Sequence, residues 1–184
     1  LQKVYGSGYT INQIESIGPK LGDELKINAR NAIIASLLLI GLYISIRFDG
    51  YYAIGSLAAL LHDVFITLGI FIFMNMEISI SIIAALLTIV GYSLNDTIVI
   101  YDRIRENMSS NPYRDKKKIF NTSLNQTLNR TLVTSLTTLI VVIVLYLYGG
   151  DVLKPFSIAL IIGVILGTYS SIFIASPVTL FLEE

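Results

Sequence analysis

The sequence predicts an all-α membrane protein, a polytopic helix bundle of five spans. Of its 184 residues, 54% are hydrophobic and only 14% charged, whereas a soluble domain carries about a quarter charged residues. Mean hydropathy is +0.71. The apolar residues fall into five runs, each near the ~20 helical residues that cross a hydrocarbon core of about 30 Å. Inside that core the backbone must satisfy its own hydrogen bonds, which selects helices.

Residues 1–18 differ in kind from the rest of the chain. Gln2 to Tyr9 reads as the closing strand or turn of an extracytoplasmic domain, and the run through Gly18 as its linker. Residue 1 is Leu, so the numbering is expected to start inside a longer protein. Pro19 is placed to open a helix, because its missing N–H costs nothing at a first helical position. Gly18 and Pro19 together are a candidate hinge. Residues 19–184 form the transmembrane bundle, with spans near 29–48, 52–74, 79–101, 131–148 and 155–182. The connectors 75–78 and 149–154 are too short for domains and make neighbouring helices antiparallel.

Orientation follows from lysine and arginine near the span ends. The 102–130 connector carries Arg103, Arg105, Arg114, Lys116, Lys117, Lys118 and Arg130, with Arg47 on the same side. The opposite short loops offer only Lys154. The 102–130 loop and the C-terminus are therefore expected in the cytoplasm, and the N-terminus of this stretch outside.

Several function classes have little support. A formal net charge of zero leaves no basic excess for nucleic acid. Absence of cysteine removes thiolate metal sites, cysteine nucleophiles and disulfides. With a single histidine, no metal site is expected, nor any cofactor. There is no phosphate-binding glycine loop for ATP hydrolysis. Asp96 and Asp102 lie on one helix, whereas presenilin-type proteases place their aspartates on two. The expectation is a protein without a covalent catalytic step.

Ionisable residues inside a span are costly and normally face protein or a water-filled cavity. Asp96 lies at least one turn below the interface, and Asp snorkels poorly on its short stem. Thr88, Tyr92 and Asp96 recur every fourth residue, hence on one face, with Asn95 beside them. In the fourth span Ser123, Thr127, Arg130, Thr134 and Thr137 form a polar stripe that includes the charge, with Asn129 adjacent. Arg130 is thus a candidate ion-pair partner for Asp96. Asp63 is the deepest charge. Adjacent helical residues point in different directions, so a pair between His62 and Asp63 does not follow from their adjacency. Gly163 and Gly167 open a line of small residues that lets another helix approach closely.

Val90-Gly91-Tyr92-Ser93-Leu94-Asn95-Asp96-Thr97, continuing to Tyr101-Asp102-Arg103-Ile104-Arg105-Glu106-Asn107, resembles the signature of SecF within the SecD/SecF family. So does Leu124-Asn125-Gln126-Thr127-Leu128-Asn129-Arg130-Thr131. Leu60-Leu61-His62-Asp63, Gly18-Pro19 and Tyr148-Gly149-Gly150 extend the similarity over nearly the whole chain. The resemblance implies spans two to six of a six-span unit of the RND superfamily, in a bacterial or archaeal cytoplasmic membrane. It implies SecD, the SecYEG channel and a translocating preprotein as partners, with the proton-motive force driving export. It assigns proton coupling to Asp96 and Arg130, and less directly to Asp63. Two other readings are an RND-type small-molecule exporter and a non-conducting assembly scaffold.

Overall fold

A computed structural model of the chain describes residues 19–76, 79–110, 113 and 115–183. The elements are α1 (Pro19–Arg47), α2 (Gly50–Phe73), α3 (Ile80–Ser110), α4 (Lys116–Tyr148), α5 (Gly150–Ser170), a π-helical turn (Ser171–Ala175) and α6 (Ser176–Glu183). Among the described residues five helical segments are long and apolar enough to cross a membrane, the last running through α5, the π turn and α6. The domain end expected at 1–18, and Gly18 with it, lie outside the described residues.

Two expected boundaries need correction. Most of the 102–130 connector is helical: α3 continues to Ser110 and α4 begins at Lys116. Hydropathy marks where lipid touches a helix, not where the helix stops. At 1.5 Å per residue the 31 residues of α3 span ~46 Å, well beyond a hydrocarbon core. The two helices therefore project together past the membrane. Residues 150–154 are likewise the first turn of α5, not a loop.

Local chemistry explains the helix ends. Asp115 caps α4, its side chain accepting from Lys117 N at 3.1 Å. At the end of α2, Asn75 takes a left-handed φ of 52°, which asparagine tolerates better than most residues. Asn75 N then bonds Ile72 O at 3.1 Å and Met76 N bonds Phe71 O at 3.1 Å, the paired closure of a Schellman motif. Between α4 and α5 the reversal needs a φ of +75° at Gly150, which a side chain would oppose.

Helix α3 sits at the centre, against α2, α4 and α5. Its closest approach is to α5: a Cβ on Gly163 would collide with Ile89, and one on Gly167 would lie 3.0 Å from Ser93 Cβ. Helix α1 packs mainly on α2 and is otherwise bare. One apolar core gathers Phe48, Tyr52, Tyr101, Ile104 and Phe120 at the basic end of the bundle. A second gathers Phe71, Ile82, Leu86, Ile89 and Ala159 at the other. Between them lies a layer of buried polar side chains.

Candidate functional site

That polar layer holds two buried carboxyl groups. Asp63 on α2 is 0% exposed. Its Oδ2 accepts from Ser93 Oγ of α3 at 2.6 Å and from Ser170 Oγ of α5 at 2.7 Å. His62 Nδ1 lies 3.1 Å from Oδ1, with the histidine side chain 28% exposed. The two neighbours therefore do meet. Their Cα–Cβ bonds point about 100° apart, but the imidazole is long enough to curl back to the carboxylate. Asp63 is closed by partners from three helices of its own chain.

Asp96 is 3% exposed. Its Oδ2 is buried and receives no hydrogen bond from the described residues. The Ser135 hydroxyl lies beside Asp96 and is also engaged with Thr168 Oγ1 at 2.6 Å. Arg130 acts on Asp96 electrostatically, but the two form no ion pair within contact distance among the described residues. Arg130 itself is exposed on the outer face of α4. A buried polar atom without a partner costs on the order of 1–3 kcal/mol, more when charged. Asp96 thus carries one buried oxygen that no described side chain satisfies.

The polar stripe on α4 takes a different course from the expected one. Ser123, Thr127, Thr131 and Ser135 are buried, whereas Arg130 and Thr137 are exposed and Thr134 is half-buried. Near its start, α4 faces α3: Asn107 Nδ2 donates to Ser123 Oγ at 2.8 Å. Three turns on it faces α5, through Ser135 and Thr168. The buried line turns round the helix as the neighbour changes, so a straight stripe overshoots it at residue 130. Asn129 and Asn95 are also exposed, and Thr134 Oγ1 bonds back to Arg130 O at 2.9 Å.

On α3, Thr88 is exposed and its hydroxyl returns to Ala84 O at 2.9 Å. Tyr92 is half-buried with an unpartnered hydroxyl. Neither hydrogen-bonds Asp96. Ser93 and Ser170, the residues that hold Asp63, were not singled out from the sequence. Ser93 stood inside the 90–97 motif. Nothing in the sequence placed Ser170 beside α2.

Comparison with known proteins bears on the whole chain. The family described as "Protein export membrane protein SecD/SecF, C-terminal" matches residues 1–184. The Protein translocase subunit SecF of Rhodothermus marinus is 49% identical over 177 residues, covering 93% of this chain and 58% of that protein. Its counterpart in Vibrio alginolyticus is 49% identical over 175 residues, covering 95% of this chain and 56% of its own length. The chain thus spans a little over half the length of these curated relatives. The crystal structure of SecDF from Thermus thermophilus, described as a translocon-associated membrane protein, superposes with a TM-score of 0.86 at 46% identity, over 90% of this chain and 23% of that one. SecDF in a super-membrane-facing form gives 0.82 at 44% identity, over 91% of this chain and 22% of that one.

Proposed function

Since the chain belongs to the SecD/SecF protein-export membrane protein family, we propose that it is the membrane bundle of a SecF-type accessory subunit of the Sec translocase, working with SecD on the proton-motive force to promote preprotein export. The single observation that carries the proton-coupled reading is Asp96: a carboxyl group 3% exposed, one oxygen without a partner, at membrane depth on the central helix.

Asp96 ionised attracts Arg130 across the α3–α4 groove. A proton taken by Asp96 ends that attraction and lets α3 and α4 repack. The change then passes through α1 and the Gly18–Pro19 hinge to the outer domain. One charge moving through 100 mV is worth about 2.3 kcal/mol, enough for a roughly fifty-fold shift in a two-state equilibrium but too little to unfold a domain. Asn95, Asn129 and Arg130 are exposed on this chain, and a polar surface at membrane depth needs a covering helix. We assign that cover to SecD. SecYEG and the preprotein are the further partners, across from the outer domain.

The basic end is assigned to the cytoplasm. There Arg47 Nη2 pairs with Asp102 at 3.0 Å and Lys116 Nζ reaches Glu183 O at 2.6 Å, so the ends of α1 and α6 gather with the lysines and arginines of the α3–α4 projection. The test is Asp96→Asn in the full-length subunit with SecD and the channel, in proton-loaded vesicles. The variant is expected to insert and assemble yet lose proton-dependent stimulation of export. Full stimulation by assembled Asp96→Asn would sink the reading.

A further inference from the structure

A groove runs along the outside of the bundle between α4 and the last span. The two helices meet through small side chains, Ser135 with Thr168 at 2.6 Å, so their larger ones stand out beside the seam. The deeper part of the groove encloses ≈ 590 Å³ and its mouth, at the basic end, ≈ 160 Å³. Asn121, Leu124 and Pro177 line both parts, which makes them continuous. On α4 the wall is Lys117, Asn121, Asn125, Leu128 and Leu132, recurring every three or four residues and hence on one face. Opposite stand Ile165, Tyr169, Phe173, Pro177 and Leu180, with the Tyr169 and Phe173 rings stacked at 5.0 Å. Except for Leu180, which is half-buried, these side chains are exposed.

Polarity changes along the groove in one direction. Its mouth carries Lys117, with Lys118 exposed beside it, at the positive dipole end of α4. The described carboxylates of α4 and α6 at this end are already engaged: Asp115 accepts from Lys117 N and Glu183 lies 3.6 Å from Lys116 Nζ. One turn deeper, Asn125 Nδ2 donates to Asn121 Oδ1 at 3.4 Å, so Asn121 keeps its own Nδ2 as a donor at the throat. Below the asparagines α4 offers only leucine. We infer that the groove binds an anionic phospholipid of the leaflet at the basic end. Its phosphate lies at Lys117 and Lys118, its ester oxygens at Asn121, and one acyl chain runs along Leu128 and Leu132.

The dimensions fit a lipid. From Lys117 to Leu132 the groove runs about 22 Å at 1.5 Å per residue. One leaflet with its headgroups is half of a ~40–45 Å bilayer, or about 20–22 Å. Phe181, a large apolar side chain 78% exposed on α6 next to Leu180, sets the hydrocarbon boundary close to the mouth and leaves the lysines at headgroup level. A partner helix fits less well. Arg130 is half a turn round α4 from Asn121, at ~100° per residue, so the face assigned above to SecD is turned away from the groove. The lipid site itself does not depend on the proton-coupled reading. The α1–α2 groove makes the contrast: it encloses ≈ 530 Å³, and no charged residue lines it.

This stretch has no cysteine, so Leu128→Cys gives one bimane label in the groove. The full-length subunit, with any cysteine elsewhere replaced, is reconstituted with its partner in vesicles of equal phosphatidylglycerol and phosphatidylcholine. One lipid and then the other is brominated in mid-chain, and bromine quenches the label at contact. Brominated phosphatidylglycerol should quench as the preferred occupant by roughly five- to thirty-fold, for one to two lysines at the surface. Lys117→Gln with Lys118→Gln should bring the ratio near one. Equal quenching by the two lipids without those substitutions overturns the proposal, and so does a preference that survives them. If the double variant does not assemble, 1 M salt decides on the parent protein, where screening within ~3 Å should abolish the preference. Weak quenching by both lipids means that a protein helix fills the groove, and overturns the lipid site. A label at Ile54→Cys in the α1–α2 groove should show no preference. The same preference there reduces the effect to general surface charge and overturns the site.

Discussion

Gly55 is the position where one added methyl group meets the most resistance. A Cβ there would collide with Thr179 Oγ1 and would lie 2.7 Å from both Ala175 O and Tyr101 Oη. One of these is a main-chain carbonyl that Thr179 Oγ1 and Tyr101 Oη already hold, at 2.9 and 3.2 Å. It cannot swing aside as a side-chain tip would. Overpacking a close-packed interior costs about 1–3 kcal/mol. Displacing Tyr101 Oη, on a residue 0% exposed, adds about 1 kcal/mol for a lost buried hydrogen bond. Gly55→Ala should therefore destabilise the bundle by about 2–4 kcal/mol, roughly 30- to 1000-fold in the folding equilibrium. Gly69→Ala on the same helix is the control, because nothing lies within 4 Å of its Cβ. Reversible detergent-denaturant titration of the purified full-length subunit measures both. Gly55→Ala within about 0.5 kcal/mol of Gly69→Ala would refute the close α2–α6 packing.

The same contacts set three further outcomes. Ser93→Ala removes the 2.6 Å bond to Asp63 while keeping the Cβ against Gly167; a hydrogen bond to a charged group is worth about 1.5–3 kcal/mol, and the same titration should read a loss of that size. Tyr101→Phe leaves Ala175 O its bond from Thr179 Oγ1, so it should cost only about 1 kcal/mol and much less than Gly55→Ala. The Arg47–Asp102 pair is about half exposed on both sides and such pairs contribute roughly 0–1 kcal/mol; Asp102→Asn should barely move stability, by the same measurement, in either low or high salt.

The five spans were legible because hydropathy reports contact with lipid, and lipid is what most of these side chains touch. The same signal failed at 102–110 and 116–130, where the helices leave the membrane with polar faces and the chain changes solvent rather than conformation. Asp63 and Asp96 were legible as costly charges in apolar runs. Their partners were not. Ser170 lies 107 residues from Asp63 in sequence, and one serine in Ser170-Ser171 looks like the other until the helices are packed. The straight stripe through Arg130 leaves the buried face of α4 for a related reason. A stripe drawn at constant angle assumes one neighbour, but α4 passes from α3 to α5 along its length.

The two carboxyl groups differ in a way composition could not reveal, and the difference constrains what each can do. Asp63 meets partners from α2, α3 and α5, so its carboxyl group is satisfied inside the chain. Asp96 has an oxygen without a partner and an arginine beside it that faces outward. A proton bound at Asp96 changes the field at the surface of the chain, where another subunit would sit. The first site braces three helices of this bundle, and the second is suited to acting across an interface. A bundle that only braced a complex would have no use for the second kind, because an unpartnered buried carboxyl group weakens the scaffold it belongs to. Under the scaffold reading Asp96→Asn or Asp96→Leu should raise stability without loss of function. Under the coupled reading Asp96→Leu should raise stability by about 1–3 kcal/mol while abolishing proton-dependent stimulation. Both quantities can be measured on one preparation, and a variant that is more stable and fully stimulated would leave Asp96 no part in coupling.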